Sequence, residues 1–362
     1  MVTAPVASGR PASMSRAGGP ASSSVLDDAA PLAEVIRGDL VESVHLGHLV
    51  VLDPSGRPVV QVGNPTTPIW PRSSLKPLQL VAMLRAGLEL PDRLLALAAA
   101  SHNGERFHLE GVLQILASRG LGPDALQNTP DLPIHPPAAL EWHMAPLGGG
   151  PGPASLAQNC SGKHAAMLAT CLTQGWDIET YLSPEHPLQR AVRATILELT
   201  GDAEVVMHTT VDGCGAPLLS TTLLGLARAF SALGAAPTVD VRSHEARAGR
   251  AISAHPDMVG GTGRDATLAM QAVPGLVAKD GAEGVYAAGL PDGSAIAFKV
   301  LDGSARARPA ILAAALRAAG AAGLPGVYPG GLDGLGRVPV LGGGRPVGEV
   351  RAVFADAYEG RR

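Results

Sequence analysis

The amino-acid sequence predicts an α/β fold of the α+β type, in which strands from both ends of the chain form one antiparallel sheet that packs against a large helical region. Segments rich in β-branched and apolar residues occupy about residues 34–63 and 275–354. Between them, about residues 77–272, apolar side chains recur at helical spacing. Two glycine-bearing turns near the carboxyl end predict hairpins, which join antiparallel strands.

The N-terminal part of the chain predicts a tail followed by a hairpin. Residues 1–30 consist largely of Ala, Ser, Pro and Gly and lack the apolar core of a secretory signal, which indicates a disordered tail. The segment Val41–Leu52 is strand-like, and the turn at 53–57 connects it to a second strand that ends at Val62. We therefore expect a disordered tail at 1–30 and a single domain over 31–362.

The rest of the chain alternates between apolar-periodic stretches and turns rich in Gly and Pro. Residues 121–153 predict a long loop. The helical pattern predicts helices at about 77–90, 92–100, 107–119, 160–174, 186–199, 217–233, 242–253, 265–272 and 307–319. The strand pattern predicts strands at about 275–279, 284–288, 294–301, 337–341 and 347–354. The predicted hairpin turns are Pro291-Asp292-Gly293 and Gly342-Gly343-Gly344.

The net charge and the cysteine content indicate which binding partners and which cellular compartment to expect. The formal net charge is −4, the pI is about 6.3 and no basic run is present, so we expect neither nucleic acid nor a membrane surface as a partner. No apolar stretch approaches the ~18 residues that span a bilayer. Three cysteines in 362 residues argue against a disulfide framework and for a reducing compartment. We therefore expect a cytoplasmic protein.

Residues 71–77, with the sequence PRSSLKP, place Ser73 and Lys76 at the predicted start of a helix. Residues three apart share a helix face, so the hydroxyl and the amine can come within hydrogen-bonding reach. A serine becomes a good nucleophile when a base removes its proton, and a lysine can be that base when burial or a nearby cation lowers its pKa. The alternative is a helix N-terminus with a solvated lysine.

The use of lysine supports the catalytic interpretation. The chain has 24 Arg and only four Lys, so arginine serves wherever a plain positive charge suffices. Lysine can lose its proton at a workable pH, whereas arginine cannot.

Two further motifs follow in the chain. Residues 101–105, SHNGE, come directly after an apolar run, where a loop either presents polar groups or merely caps the next helix. Residues 278–284, AKDGAEG, contain a lysine and otherwise read as a strand-ending turn. In chain order the three elements are Ser73-x-x-Lys76, Ser101-x-Asn103 and Lys279-x-Gly281.

This order resembles the three-part signature of the serine β-lactamase and penicillin-binding superfamily, in which a serine with its base precedes a second polar pair and a lysine on an edge strand. The middle element lacks the usual Asp, and Asp280 stands where the signature has Thr. These departures count against β-lactam or cell-wall substrates.

Two cysteines lie in polar turns that contain glycine, unlike buried structural cysteines. Cys160 opens a predicted helix with Lys163 and His164 on the same face, and Cys214 lies in the turn DGCGAP. Thiolates that meet in this way can form a zinc site, with a deprotonated Lys163 as an uncommon third ligand. The alternative is a helix-start thiol that merely packs. Cys171 falls in an apolar helix and reads as a core residue.

Five motifs together resemble the rhizobial-type, class 3 L-asparaginases over about residues 34–354. In this chain they are PRSSLKPxQ at 71–79, SHNGE at 101–105, NCSGKH at 159–164, DGCGAP at 212–217 and KDGAEG at 279–284. The resemblance implies a serine-β-lactamase-like fold, a homodimer, and hydrolysis of L-asparagine to L-aspartate and ammonia. It also implies two Ser-Lys pairs, Ser73 with Lys76 and Ser101 with Lys279.

The resemblance further implies that one zinc ion per chain binds near the substrate through Cys160, Lys163 and Cys214. We expect Arg72 to hold the substrate α-carboxylate, or Asp212 its α-ammonium. The full set of expected substrate contacts is Arg72, His102, Asn103 and Asp212.

Two alternatives remain open at this point. The same fold can serve a glutaminase or another serine amidohydrolase, which comparison of asparagine, glutamine and a β-lactam as substrates would separate. A protein of a different class, an amino-acid-binding protein stabilised by a metal, would bind ligand without releasing ammonia and would unfold on chelation.

Overall fold

A computed structural model describes residues 25–145, 152–203 and 207–354 of the chain. The predicted tail at 1–30 lies mostly outside the described residues, and Ala30 already begins the first strand. The strands are β1 (Ala30–Arg37), β2 (Leu40–Leu52), β3 (Pro58–Val62), β4 (Pro68–Ile69), β5 (Thr209–Val211), β6 (Pro217–Leu219), β7 (Thr221–Thr222), β8 (Val277–Asp280), β9 (Val285–Gly289), β10 (Ala295–Val300), β11 (Val338–Gly342) and β12 (Arg345–Ala352).

The main sheet joins the two ends of the chain, as the sequence predicts. Within the described residues it has eight strands in the order β11-β12-β1-β2-β10-β9-β8, with β3 also paired to β2, and every pairing is antiparallel. Every residue of β8 and β9 is buried. Successive strand residues point to opposite faces, so both faces of this end of the sheet are covered.

Helices form most of the segment between the N-terminal and C-terminal strands. They are α1 (Lys76–Arg85), α2 (Asp92–Ala98), α3 (Arg106–Ala117), α4 (Pro136–Met144), α5 (Ser161–Gln174), α6 (Pro187–Thr200), α7 (Leu223–Val239), α8 (His244–Ala254), α9 (Pro256–Val259), α10 (Asp265–Ala272), α11 (Arg308–Ala318) and α12 (Pro329–Gly336). Helix α7 packs on β9 and β10, and α11 packs on β12. No helix in the described ranges is long and apolar enough to cross a membrane.

Both predicted hairpins in the C-terminal part are confirmed, and three predictions of local structure are wrong. Residues 121–153 were expected to form a loop but contain α4. The helix expected at 217–233 begins only at Leu223, after the short strands β6 and β7. The turn at 212–217 therefore joins β5 to β6, whereas the helix expected to begin at about 217 would have followed it directly.

The late start of α7 has a local cause. The apolar run at 218–226 has a helical pattern, but Thr221 and Thr222 pair with strand β4 instead. The Thr222 side chain then caps α7 by accepting a hydrogen bond from Gly225 N at 2.8 Å. Pairing with the distant strand β4 thus determines where helix α7 begins.

Two glycines allow the elements around the candidate site to approach closely. A Cβ at Gly162, in the first turn of α5, would lie 2.5 Å from the Leu97 carbonyl oxygen of α2. A Cβ at Gly281, directly after β8, would lie 2.5 Å from the Pro71 carbonyl oxygen. Because neither residue has a side chain, the backbones carrying the NCSGKH and KDGAEG motifs can pack against α2 and the PRSSLKP turn.

Candidate active site

The PRSSLKP motif forms a tight turn before α1. Residues 72–75 make one turn of 3₁₀ helix, and α1 begins at Lys76. Arg72 has a φ of 53°, a left-handed conformation that costs a residue with a side chain about 1 kcal/mol or more. Strain of this kind concentrates at functional sites. Ser73, the next residue, is partly exposed, whereas Ser74 is buried and its hydroxyl donates to the Lys279 carbonyl oxygen at 3.2 Å.

The Lys76 amine lies in the interior, with only 1% of the residue exposed. Its Nζ is 2.5 Å from the Ala100 carbonyl oxygen, 3.0 Å from Ser101 Oγ and 3.1 Å from Cys160 Sγ. Within the described ranges, no hydrogen bond links the side chains of Ser73 and Lys76. The lysine of the first motif is therefore bonded to the serine of the second. Lys279 bonds to Asp280, so neither of the two expected Ser-Lys pairs is joined by a hydrogen bond among the described residues.

The SHNGE loop is held in place mainly through its backbone. The N–H groups of Ser101, His102 and Asn103 donate to the carbonyl oxygens of residues 259, 159 and 260. His102 Nδ1 accepts from Gly104 N at 3.1 Å, so its Nε2 carries the proton and donates to Ser161 Oγ at 3.0 Å. Burial, with the nearby charges of other basic groups, lowers the pKa of His102 well below its usual value. The imidazole is therefore neutral and positions the loop.

Asn103 also has partners inside the protein. Its side-chain amide donates to the Thr262 carbonyl oxygen at 3.0 Å and to Glu105 at 3.3 Å. These contacts tie the SHNGE loop to the loop before α10. A direct contact of His102 or Asn103 with substrate stays a prediction.

Lys279 lies on β8, at an edge of the main sheet, and is fully buried. Its Nζ donates to the Asp280 carbonyl oxygen at 2.7 Å and to the Asp280 carboxylate at 2.5 Å. Burial lowers the pKa of Lys279 to about 8; the Asp280 carboxylate opposes this effect, and the charges of Lys76 and Arg264 add to it. A lysine near this value exchanges its proton readily close to neutral pH.

Two of the predicted substrate contacts form an ion pair with each other. Arg72 Nε donates to Asp212 Oδ1 at 2.7 Å, and both side chains remain partly exposed, at 27% and 11%. Gly213 N donates to the same carboxylate oxygen. The pair links the turn that carries Ser73 to the DGCGAP turn that carries Cys214.

The two cysteines and Lys163 meet, although 54 residues separate the two cysteines in the chain. Lys163 Nζ lies 3.2 Å from Cys214 Sγ, and all three residues are at most 4% exposed. The Cys160 thiol donates to Asn159 Oδ1 at 3.1 Å. The interaction between the two cysteine side chains raises the pKa of Cys160 and lowers that of Cys214. Burial opposes a charge on Lys163, but the Cys214 and Cys160 sulfurs raise its pKa overall.

The possible zinc ligands of this cluster are the sulfur atoms of the two cysteines and the amine of Lys163. Two sulfurs and an amine are soft donors that suit zinc. Among the described residues, however, no group of three or more His, Cys, Asp or Glu side chains could hold a metal ion. A zinc ion would therefore have two sulfur ligands and would depend on Lys163 or on a small molecule for the others. Zinc would have to displace a proton from the Lys163 amine, whose pKa the two sulfurs raise.

A group of charged residues that the motifs do not predict lies behind Lys279. Asp280 also accepts a hydrogen bond from Arg264 and lies 3.7 Å from Arg308, which pairs with Asp265 at 2.9 Å. The signal was present in the sequence, because Arg264 ends the glycine-rich segment GGTGR directly before a predicted helix.

A serine hydroxyl beside a buried lysine amine, together with a second buried lysine on an edge strand of an antiparallel sheet, is typical of α+β hydrolases that use a serine nucleophile. A family model described as L-asparaginase II matches residues 33–352. The chain therefore belongs to the L-asparaginase II family, which makes it an amidohydrolase. The family resemblance that the five motifs predict is confirmed.

Comparison with solved structures gives similarity at low sequence identity. A β-lactamase from Mycobacterium bovis is 13% identical, with a TM-score of 0.39 over 75% of this chain and 94% of that one. A protein of Bacteroides dorei with a provisional β-lactamase assignment is 14% identical, with a TM-score of 0.38 over 70% of this chain and 85% of that one. No curated protein matches the sequence.

Proposed function

We propose that this protein hydrolyses the side-chain amide of L-asparagine to L-aspartate and ammonia, with Ser73 as the nucleophile. The observation that carries the proposal is the match to the L-asparaginase II family over residues 33–352. Lys76 directly follows the 3₁₀ turn that carries Ser73, and its buried amine, which hydrogen-bonds to Ser101 Oγ at 3.0 Å, is the base that we assign to Ser73. Of the two candidate nucleophiles, Ser73 is partly exposed, whereas Ser101 is buried, with 3% of the residue exposed. Ser73 is therefore the more accessible to a substrate.

In the proposed first step, Ser73 Oγ attacks the amide carbon of asparagine while Lys76 takes its proton. The C–N bond then breaks, and Lys76 returns the proton to the leaving nitrogen, which departs as ammonia. Water attacks the resulting ester, loses a proton to Lys76 and releases aspartate, after which the proton restores the Ser73 hydroxyl. Each proton that the lysine accepts is thus donated again within one turnover.

Ser101 supports this exchange through its bond to the Lys76 amine. The Ala100 carbonyl can only accept a hydrogen bond. It therefore accepts one from an N–H of the Lys76 amine whether that amine is charged or neutral. When the amine is neutral, its lone pair needs a donor, and the Ser101 hydroxyl at 3.0 Å can supply one. Ser101 can therefore relay protons to and from Lys76, with Lys279 supporting the same network.

The charged ends of the substrate have matching partners in the Arg72–Asp212 pair. The guanidinium suits the α-carboxylate, and the carboxylate suits the α-ammonium. Because the two side chains already hold each other at 2.7 Å, a zwitterionic amino acid can bind across them without leaving either charge unpaired.

The substrate assignment is tested by measuring ammonia release from L-asparagine, L-glutamine and, separately, nitrocefin hydrolysis. We expect kcat/KM to be at least about tenfold higher for asparagine than for glutamine, because one extra methylene displaces the reacting carbon from Ser73. Preference for glutamine would assign a glutaminase to the same site, and nitrocefin turnover alone would assign a β-lactam hydrolase. Binding of asparagine without ammonia release would contradict an enzymatic function.

We also propose that Cys160, Lys163 and Cys214 hold one zinc ion. When bound, the zinc would act as a Lewis acid that orients a polar group of the substrate. The nucleophile does not depend on it, since Ser73 supplies the attacking oxygen. The protein's own part is to keep two sulfurs and one amine together in a buried position.

Zinc binding is expected to require both cysteines of this cluster. Alanine at Cys160 or Cys214 should weaken zinc affinity by about 10²-fold or more, because each removes a thiolate ligand. Cys171→Ala is the matched control, since Cys171 is a free, buried cysteine of the same helix that carries Lys163. Isothermal titration with zinc measures the affinity directly, and equal affinity in all three variants would contradict the site.

We also propose that the protein is a homodimer and acts in the cytoplasm. Light scattering of the purified chain measures the assembly, and a single species of twice the mass of 36.7 kDa is expected.

A further inference from the structure

A buried set of charged side chains lies behind Lys279, and the proposed reaction gives no role to Asp280, Arg264, Asp265 or Arg308 in it. The centre of the set is the Asp280 carboxylate, whose side chain is 6% exposed. One of its oxygens accepts from Lys279, and the other accepts from Arg264 and lies 3.7 Å from Arg308. Arg308 also pairs with Asp265 at 2.9 Å.

The three cations outnumber the two carboxylates in this set, so Asp280 is shared among three positive groups. A buried charge without a counter-ion is strongly disfavoured, and Asp280 is the carboxylate in direct contact with Lys279. The backbone carbonyl of Asp280 accepts a second hydrogen bond from the same amine at 2.7 Å. Two bonds from one residue restrict the lysine to one position at the edge of the sheet.

We propose that Asp280 is a positioning residue for Lys279: its carboxylate, which Arg264 holds from the other side, fixes the Lys279 amine in the candidate active site and serves as its counter-ion. This inference rests on the proposed function for its role in catalysis. The contact between the two side chains can be tested without it.

Arg264 and Asp280 act on Lys279 in opposite directions. The Asp280 carboxylate stabilises the protonated amine, whereas Arg264 both repels it and competes for the same carboxylate. Accordingly, Asp280 raises the pKa of Lys279, and Arg264 and Lys76 lower it. The charged and titratable groups around this pair are Lys76 from α1, Arg264 from the loop before α10, Asp265 from α10, Tyr286 from β9 and Arg308 from α11.

The test is an NMR titration of lysine side chains in the full-length protein labelled with ¹³C at lysine Cε. The chain has four lysines, and the resonance of Lys279 is identified by its loss in Lys279→Gln. In Asp280→Asn, an isosteric change, the Lys279 transition should fall from about 8 by about 1 pH unit or more. In Arg264→Gln it should rise, because a competing cation is removed.

Lys299 serves as the internal control, since its amine bonds to the Glu283 and Val300 carbonyl oxygens and should titrate alike in all variants. Movement of the Lys279 resonance in the same direction in both variants, or in neither, would overturn the proposal. If Asp280→Asn does not fold, Arg264→Gln decides alone: a rise supports the proposal and an unchanged transition overturns it.

The same variants separate this inference from the proposed function. Opposite movements of the Lys279 transition with no ammonia release from asparagine would leave the counter-ion assignment standing and remove the asparaginase assignment. In an active enzyme, the pH dependence of kcat should move in the same directions as the NMR transitions.

Discussion

Replacing Ser73 with alanine is expected to lower asparagine hydrolysis on the order of 10⁴-fold, because the hydroxyl that we propose to form the covalent ester is removed. Ser101 does not substitute for it, since it is 3% exposed and bonded to Lys76. Ammonia release under substrate saturation measures the effect. Mass spectrometry after rapid acid quench should show the asparagine-derived ester on wild-type protein and not on Ser73→Ala.

The neighbouring serine provides a matched control for this substitution. Ser74 lies in the same turn, but its buried hydroxyl donates to the Lys279 backbone. Ser74→Ala should lower the free energy of unfolding by about 1 kcal/mol, because one hydrogen bond is lost. Its turnover should stay within about tenfold of the wild-type value. Near wild-type activity in Ser73→Ala, or an ester on Ser101, would show that the nucleophile has been assigned to the wrong serine.

Replacing Lys76 with methionine is expected to reduce kcat by about 10³-fold or more, because the general base and the proton donor for the leaving nitrogen are removed together. Lys76→Arg should be equally inactive, since a guanidinium keeps its proton at any workable pH. Steady-state kinetics with asparagine measures both variants, and circular dichroism confirms that they fold.

Lys299→Met is the control for this second substitution. Lys299 is the lysine of the chain that lies outside the five motifs, and it bonds to carbonyl oxygens of the turn after β8 and of its own strand. It should retain turnover within about tenfold. Retention of more than a tenth of wild-type kcat in Lys76→Met would exclude the lysine as base and leave Lys279 as the remaining candidate.

Local patterns were reliable where one short segment contains all the information. Proline, aspartate and glycine predicted the β9–β10 hairpin, and the β11–β12 hairpin was predicted from three glycines. Helix α5 was predicted to begin close to Cys160, and it does. In these cases turn geometry and side-chain periodicity act over a few residues, so distant contacts change little.

Patterns failed where distant contacts compete with local preference. The apolar run after Pro217 has a helical pattern, but Thr221 and Thr222 pair with a strand about 150 residues earlier. The charged group around Asp280 was missed for a related reason. Its members come from three separate segments, and their sequences do not show that these segments meet.

By itself, the sequence determined the residue types of the site and the elements that carry them, because the five motifs and the hydrophobic periodicity are local properties. Only the tertiary structure decided which groups touch. It joins Lys76 to Ser101 and Cys160, Lys163 to Cys214, Arg72 to Asp212, and Lys279 to Asp280. All but the last of these contacts cross at least 25 residues of chain. They form because α1, α2 and α5 pack against one another and the 3₁₀ turn before α1 packs against β8 and β9, which brings segments that are far apart in the chain within hydrogen-bonding distance. The spacing of residues in the sequence does not show which distant segments meet.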